Sequence, residues 1–374
     1  RIVFYALAMN LTDCISNTFS EQCKNNSPIG INKRMDYLVR LEHWIKDNEK
    51  RIKVAHFKDL RKPESEIELA EIWYVLSEIR IAKKNLKKWM RPKRIGKSTL
   101  ALATAQSWLH NEPRGVVLII SPWNFPFNLT IGPLVSALAA GNRVIIKPSE
   151  LTPNVSSLMA RMVDEVFEPE RVSIFQGDQE VAKELLNYPF DHIFFTGSPS
   201  IGKIIMKAAS KHLSSLTLEL GGKSPIVIFD DADIEGAVNG AVAGNFGASG
   251  QSCVAGSRVF VQSGIYDEFI SEVIKRAESV RIGDPLDPET QVGPLATQAQ
   301  RDRIETTLVT SQEQGAVIHT GGCRPEGFED GWYFQPTVLA CPNQSVLSTQ
   351  VELFGPVMSV LKFETEEEAI SLAN

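Results

Sequence analysis

No CxxC pair, no long apolar run and no surplus of positive charge occur in this chain, and each absence closes off a class of function. The five cysteines (Cys14, Cys23, Cys253, Cys323 and Cys341) are odd in number and lack the spacing of a zinc site or a redox pair. A reducing, cytoplasmic setting is therefore expected, with no metal. No apolar run approaches the roughly 18 residues that cross a bilayer, so no membrane span is expected. The net charge of −6 argues against nucleic acid or an anionic membrane as the main partner. One basic cluster, KKNLKKWMRPKR at 83 to 94, runs the other way and reads as a solvated helix face and its exit. The apolar stretch IVFYALAM at 2 to 9 lacks the charged leader and cleavage site of a signal peptide, and Met9 is the expected start.

What is present is an ordinary globular composition, 43% hydrophobic and 22% charged over 374 residues, enough for about two or three domains. From about 10 to 95 the apolar residues fall three and four apart, as in RMDYLVRLEHWIKDNEKRIKVAHF and EIELAEIWYVLSEIRIAKKNLKKWM, and predict helices. The alternation in ALATAQSWLH within 96 to 113 suits a strand or hairpin arm. Then short β-rich runs appear: RGVVLIIS, RVIIKPS, RVSIFQG and HIFFTGS, separated by helical segments such as IGPLVSALAAG and SSLMARMVDEVF. That alternation predicts a parallel sheet with helices on both faces, and ligands in such sheets sit at the carboxyl ends of the strands. SPWNF, KPSE and FTGS all fall there. A second α/β stretch begins near 225 with PIVIFDDAD, and the chain ends at Asn374 inside the helix-like EEEAISLAN.

The loop HIFFTGSPSIGKI poses the functional question. Gly197, Gly202 and Lys203 fit the G-x-x-x-x-G-K of a triphosphate loop, but Ile204 stands where a Ser or Thr hydroxyl would reach Mg²⁺. A second near match, RIGKSTL at 94 to 100, carries Arg91 in place of the first glycine. Cys253 lies among glycines and small residues in NFGASGQSCVAGSRVFV, where a substrate can approach the backbone closely and the cysteine N–H can face a reacting oxygen. The alternative is a buried thiol packed as a small hydrophobe. Glu219, ending an apolar strand in TLELGGKSP, is expected in an apolar setting that suits a general base, or else as a capping or salt-bridged carboxylate. Asn124, held between prolines and aromatics in SPWNFPF, is placed to donate to an oxyanion. Lys147 and Glu150 in KPSE suit ribose hydroxyls, or else form a surface ion pair.

SPWNFPF, IIKPSELTP, FFTGSPSIGK, LELGGKSP, GQSCVAG and ELFGPV stand in the order and approximate spacing of the aldehyde dehydrogenase superfamily, which the chain resembles over nearly all of 30 to 374. The resemblance implies a Rossmann-type dinucleotide-binding domain plus a second α/β catalytic domain. It places the N-terminal helices and cofactor domain at 1–220, with a pairing arm near 98–113, and the catalytic domain at 221–374, incomplete at its end. It implies that Cys253 attacks an aldehyde, that Asn124 and the Cys253 N–H hold the oxyanion, and that Glu219 activates the water that cleaves the thioester. Cofactor contacts are implied for Pro122, Trp123, Lys147, Ser149, Glu150, Gly177, Gly197, Ser198, Gly202, Leu220, Gly221, Glu352 and Phe354. NAD is the expected cofactor, with NADP as an alternative, because Glu150 repels a 2′-phosphate and accepts from a 2′-OH. A homodimer or higher oligomer is expected. A non-catalytic truncated dinucleotide-binding scaffold and, further off, a P-loop phosphotransferase are the alternatives.

The two halves resemble different branches. RKPESEIELAEIWYVLSEI, KNLKKWMRPKR and NYPFDHIFFTGS are similar to the class 3, fatty and aromatic aldehyde branch. IFDDADIEGAV, NFGASGQSCVAGSRVFV and GDPLDPETQVGPL are similar to the class 1/2, betaine and general aldehyde branch. A hybrid chain is the expectation, changing at or just after LELGGKSP.

Overall fold

The computed structural model describes residues 10–24, 28–96 and 105–374. The stretch at 2 to 9, part of RIGKSTL and part of the 98–113 arm lie outside the described residues. The chain divides into two compact units, Arg1–Leu220 and Gly221–Asn374.

The first unit opens with helices α1 (Leu11–Lys24), α2 (Ile31–Asp47), α3 (Glu49–Leu60) and α4 (Glu64–Ile67). A π-helical turn, Glu68–Trp73, joins α4 to α5 (Tyr74–Trp89). The predicted helices are thus found as far as Trp89, with the π-turn as an addition that no periodicity announces, whereas Lys93–Ile95, inside the stretch expected to be helical, is extended. The basic cluster lies on α5 and its exit, and there Lys83 is ion-paired with Glu42. Strands β1 (Lys93–Ile95) and β2 (Ser107–Leu109) form an exposed antiparallel pair, as the hairpin-arm reading expects.

The sheet follows: β3 (Val116–Ile120), α6 (Asn128–Ala140), β4 (Arg143–Lys147), α7 (Pro153–Val166), β5 (Val172–Ile174), α8 (Gln179–Leu185), β6 (His192–Gly197), α9 (Pro199–Ser210) and β7 (Ser215–Leu220). The five strands lie in the order β5-β4-β3-β6-β7, all parallel. Two-residue periodicity splits their side chains between two cores. Val117, Ile119, Val144 and Ile146 face the helices α2 to α7. Val116, Leu118, Ile120, Ile145 and Phe195 face α8, α9 and Ile15 of α1. Each fully buried large apolar side chain contributes roughly 1.5–3 kcal/mol, so both faces are committed to helices. The strand order reverses at β3, and the crevice between the carboxyl ends of β3 and β6 is the switch point where such sheets bind ligands.

The second unit has β8 (Pro225–Ile228), α10 (Ile234–Phe246), β9 (Arg258–Gln262), α11 (Tyr266–Glu278), α12 (Gln298–Glu313), β10 (Val317–Thr320), β11 (Thr337–Ala340), α13 (Leu347–Gln350), β12 (Val357–Phe363) and α14 (Glu366–Ala373). Its sheet runs β10-β11-β12-β9-β8, parallel except for the antiparallel β10. Val259, Val261, Met358 and Val360 point to one core. Phe260, Val357, Leu361 and Phe363 point to the other. Asp233, Thr297 and Thr365 cap α10, α12 and α14 through their side chains. The fold is α/β with parallel sheets in both units.

Candidate active site

In the first unit the predicted residues collect at the strand ends. Asn124 follows β3 in the turn Ser121–Phe127 and is buried at 6% exposure. That turn is tied down at both ends: Ser121 N–H donates to Lys147 O at 3.1 Å, and Thr130 Oγ1 donates to Pro126 O at 2.6 Å. Lys147 ends β4 with its side chain buried, and its Nζ lies 2.7 Å from Glu150 Oε2. The ion-pair reading of KPSE is met, with the lysine buried at the strand end and not on the surface. Ser149, also buried, accepts the Leu151 N–H of the turn that follows through its Oγ at 3.2 Å. Gly177, after β5, has φ +142, and a side chain there would meet Val181 at 2.4 Å.

The loop that opened the functional question is short. β6 ends at Gly197 and α9 starts at Pro199, with Ser198 capping the helix through Ile201 N–H at 3.4 Å. Gly202 and Lys203 therefore sit inside the helix instead of in a loop wrapped around phosphates, and Ile204 is exposed on its surface. The triphosphate-loop alternative needs a different backbone. What remains is a capped helix N-terminus with a preset proline, whose dipole end favours an anion. Gly202 serves close packing: a Cβ there would lie 2.9 Å from Leu220 on β7.

One expectation is corrected. Glu219 was expected in an apolar setting, but it stands exposed near the end of β7, as does Leu220. Its partner in register, Thr196, lies on β6, and the sheet leaves that end of β7 open. Neither Pro122 nor Trp123 is exposed; both are half-buried in the Asn124 turn.

In the second unit Cys253 follows the tight turn Gly247–Gly250, in which Ala248, Ser249 and Gly250 take φ of 51°, 56° and 70°. Three successive left-handed residues, two of them bearing side chains, store strain that the surroundings must hold. They do so visibly. Ser249 Oγ donates to Gly293 O at 3.0 Å, and Ala296 N–H donates to Gln251 Oε1 at 2.9 Å. Asn245 Nδ2 donates to Gly256 O at 3.2 Å and Val357 O at 3.3 Å. A side chain on Gly250 would strike Gly355 O at 2.1 Å, so the cysteine loop lies directly against the ELFGP loop. Cys253 itself is half-buried and outside any disulfide.

The ELFGP loop is gripped from α12, where Gln300 Nε2 donates to Leu353 O and, at 3.2 Å, to Phe354 O, and Arg303 donates to Glu352 O. Phe354 is itself left-handed, with φ 53. The Glu352 carboxylate packs on the paired glycines: a Cβ on Gly221 would lie 2.1 Å from Glu352 Oε2. Burial raises the Glu352 pKa, against the lowering effect of the Gly222 N–H, Arg303 and Lys223. Glu352 Oε1 is buried with no hydrogen-bond partner within the protein, an acceptor suited to a ligand hydroxyl.

Lys223, in the same GGKSP, was not singled out by the sequence. Its amine is buried and has no hydrogen-bond partner, and burial pulls its pKa down to about 7. A lysine placed directly after two glycines at a unit boundary was the available signal. Within the first unit, two features fit a dinucleotide: the helix N-terminus at Ser198 and the Lys147–Glu150 pair.

Comparison with known proteins agrees with this chemistry. Residues 17–374 match the model of the aldehyde dehydrogenase family. The 4,4'-diaponeurosporen-aldehyde dehydrogenase of Staphylococcus aureus is 36% identical over 91% of this chain and 72% of its own length. The betaine aldehyde dehydrogenase of Mesorhizobium japonicum is 40% identical over 72% of this chain, which spans 56% of that protein. Among solved structures, the NAD+ complex of an aldehyde dehydrogenase from Bacillus cereus superposes with a TM-score of 0.87 at 30% identity, covering 97% of this chain and 74% of that one.

Proposed function

The chain belongs to the aldehyde dehydrogenase family and is an NAD(P)-dependent oxidoreductase acting on aldehydes, and from that premise we propose how its residues divide the reaction. Cys253 is the nucleophile. Its thiolate adds to the aldehyde carbon, and the carbonyl oxygen becomes an oxyanion that accepts from the Asn124 carboxamide and the Cys253 backbone N–H. NAD(P), where bound, would supply the acceptor for the hydride that the thiohemiacetal carbon must lose to become a thioester. Glu219 then takes a proton from water, which attacks the thioester carbon and releases the carboxylic acid and the thiolate. The exposure of Glu219 leaves its carboxylate open to that water.

Residues 1–220 act as the dinucleotide-binding domain and 221–374 as the catalytic domain. Lys147 and Glu150 hold the adenosine ribose, with Ser149 and Gly177 shaping the same strand ends. Gly197, Ser198 and Gly202 present the helix N-terminus to the pyrophosphate. Glu352 holds the nicotinamide ribose beside Phe354 and Gly221, and Pro122, Trp123 and Leu220 complete the contacts. NAD is preferred, because the Glu150 carboxylate repels a 2′-phosphate. The enzyme works in the cytoplasm as a homodimer or larger assembly. Among the described residues no helix is long and apolar enough to cross a membrane.

The observation that carries this reading is the strained turn before Cys253, held by side chains and wedged against the loop of Glu352. Such strain persists where a reacting group must be presented in one orientation. Single-turnover NADH formation, with protein in excess over a panel of aliphatic and aromatic aldehydes, tests it. A burst that vanishes in Cys253→Ala while NAD still binds is expected. Aldehyde oxidation by the alanine variant would refute the assignment.

A further inference from the structure

Glu71 is fully buried, yet nothing in the proposed chemistry uses it. It sits in the π-helical turn Glu68–Trp73, the kind of local bulge that re-aims a side chain and is frequent at functional sites. Its Oε2 accepts the backbone N–H of Asn128 at 2.7 Å, and the Asn128 side chain donates back to Ala70 O at 3.0 Å. Asn128 is the first residue of α6, whose N-cap position is occupied by Phe127 and has no side-chain cap of its own. A carboxylate from a distant helix thus caps α6, satisfying an N–H the helix cannot pair and facing the positive end of its dipole.

The other carboxylate oxygen makes no hydrogen bond but faces two basic side chains. Glu71 Oε1 lies 3.2 Å from His56 Nε2 and 3.6 Å from Lys62 Nζ. His56 is fixed in turn by its Nδ1 contact with Ile52 O at 2.9 Å, and Lys62 Nζ stands 3.9 Å from the centroid of the Phe125 ring. Phe125 is the neighbour of Asn124, and its carbonyl accepts the Leu129 N–H at 2.9 Å as α6 begins. The network therefore grips the Asn124 turn at two places, the ring of Phe125 and the backbone of Asn128. Burying a carboxylate is costly, and an apolar residue would pack as well. A buried charge at this place serves orientation.

We propose that Glu71 is a positioning residue for Asn124: it caps α6 from outside and so fixes the turn that aims the Asn124 carboxamide. This rests on the reading of Asn124 as an oxyanion donor. The test uses the full chain with Glu71→Ala, Glu71→Gln, Asn124→Ala and the Glu71→Ala/Asn124→Ala double variant. Two readouts are followed, the single-turnover NADH burst rate with propanal and amide hydrogen exchange at Asn128. Removing an oxyanion donor costs about 10²–10³ in rate. Glu71→Ala, acting through that donor, is expected to slow the burst by roughly 10- to 100-fold, with NAD affinity within about twofold of the parent.

Glu71→Gln keeps an oxygen that accepts from Asn128, and should restore most of the rate and the amide protection. In the Asn124→Ala background, Glu71→Ala should cost nothing further, because the two act as one unit. Multiplying losses in the double variant would overturn the proposal, as would unchanged exchange at Asn128 in Glu71→Ala. If Asn124→Ala leaves the burst intact, the oxyanion reading fails by itself, and the exchange measurement still decides whether Glu71 orders the turn. Should Glu71→Ala not fold, Glu71→Asp, which withdraws the carboxylate by one methylene, carries the same readouts.

Discussion

The two units hold their functional loops by different means. In the first, the loops leave strands that are buried throughout, such as Val116–Ile120 and Arg143–Lys147, and none of their described residues that bear side chains is left-handed. Position is set there by polar side chains: Ser198 caps α9, Glu71 caps α6, and Arg34 Nη1 donates to Ala139 O and Ala140 O where α6 ends. Among the described residues of that unit, the left-handed ones with side chains, Arg61 and Leu213, lie where helices finish and away from the strand ends that carry the site. In the second unit, Ala248, Ser249 and Phe354 are left-handed within the loops of Cys253 and Glu352 themselves. A surface that binds a ligand can be built by capping and burial, whereas a loop that presents a nucleophile here depends on backbone strain held by its neighbours.

The contrast can be broken at a glycine in each unit. Gly250→Ala puts a methyl group 2.1 Å from a backbone oxygen at a left-handed position, and should cost roughly 3 kcal/mol or more together with the burst. Gly132→Ala, inside α6, places its Cβ at an ordinary 3.6 Å from Asn128 Oδ1. It should be neutral or stabilise by up to about 1 kcal/mol. Chemical denaturation of both variants measures the difference. Equal effects would mean that strain is not what separates the loops.

The next largest effect concerns Lys223. Its folded pKa of about 7 lies below the ordinary 10.5, so above pH 7 the unfolded chain holds a proton that the native state has released. Stability should therefore rise as the pH climbs from 7, until it nears 9.0, where burial of Cys341 has the opposite sign because its thiol ionises later when folded. Lys223→Met should flatten the rise, read from melting temperatures across that window. An unchanged slope would contradict the burial of the amine.

The smallest effect is expected in the first unit. Hydrogen bonds from Lys46 and Lys83 hold the Glu42 pKa down to about 2, so its contribution is complete above the ordinary 4.5 and is lost as the pH falls through 2. Glu42→Gln should cost about 1 kcal/mol at neutral pH and nothing in strong acid.

Much of this was legible in the sequence. The strands showed themselves by apolar runs bounded by turn residues, and the site loops by motifs at the strand ends. Three features did not show. Glu71 acts on Asn128 across 57 positions from a π-turn, and neither separation nor bulge leaves a periodic trace. Ala248 and Ser249 are left-handed although neither is glycine, so their strain is visible only in the folded loop. Glu219 ends an apolar strand, but β7 is an edge strand, and an edge can leave its end exposed.

The central claim is that Cys253 carries the acyl group and Glu219 releases it. Intact mass measurement of Glu219→Gln after mixing with NAD and an aldehyde that gives a burst tests this directly. An adduct of acyl mass on the peptide containing Cys253, decaying far more slowly than in the parent, is the predicted result. Turnover without any adduct on Cys253, or an adduct that clears at the parental rate, would contradict it.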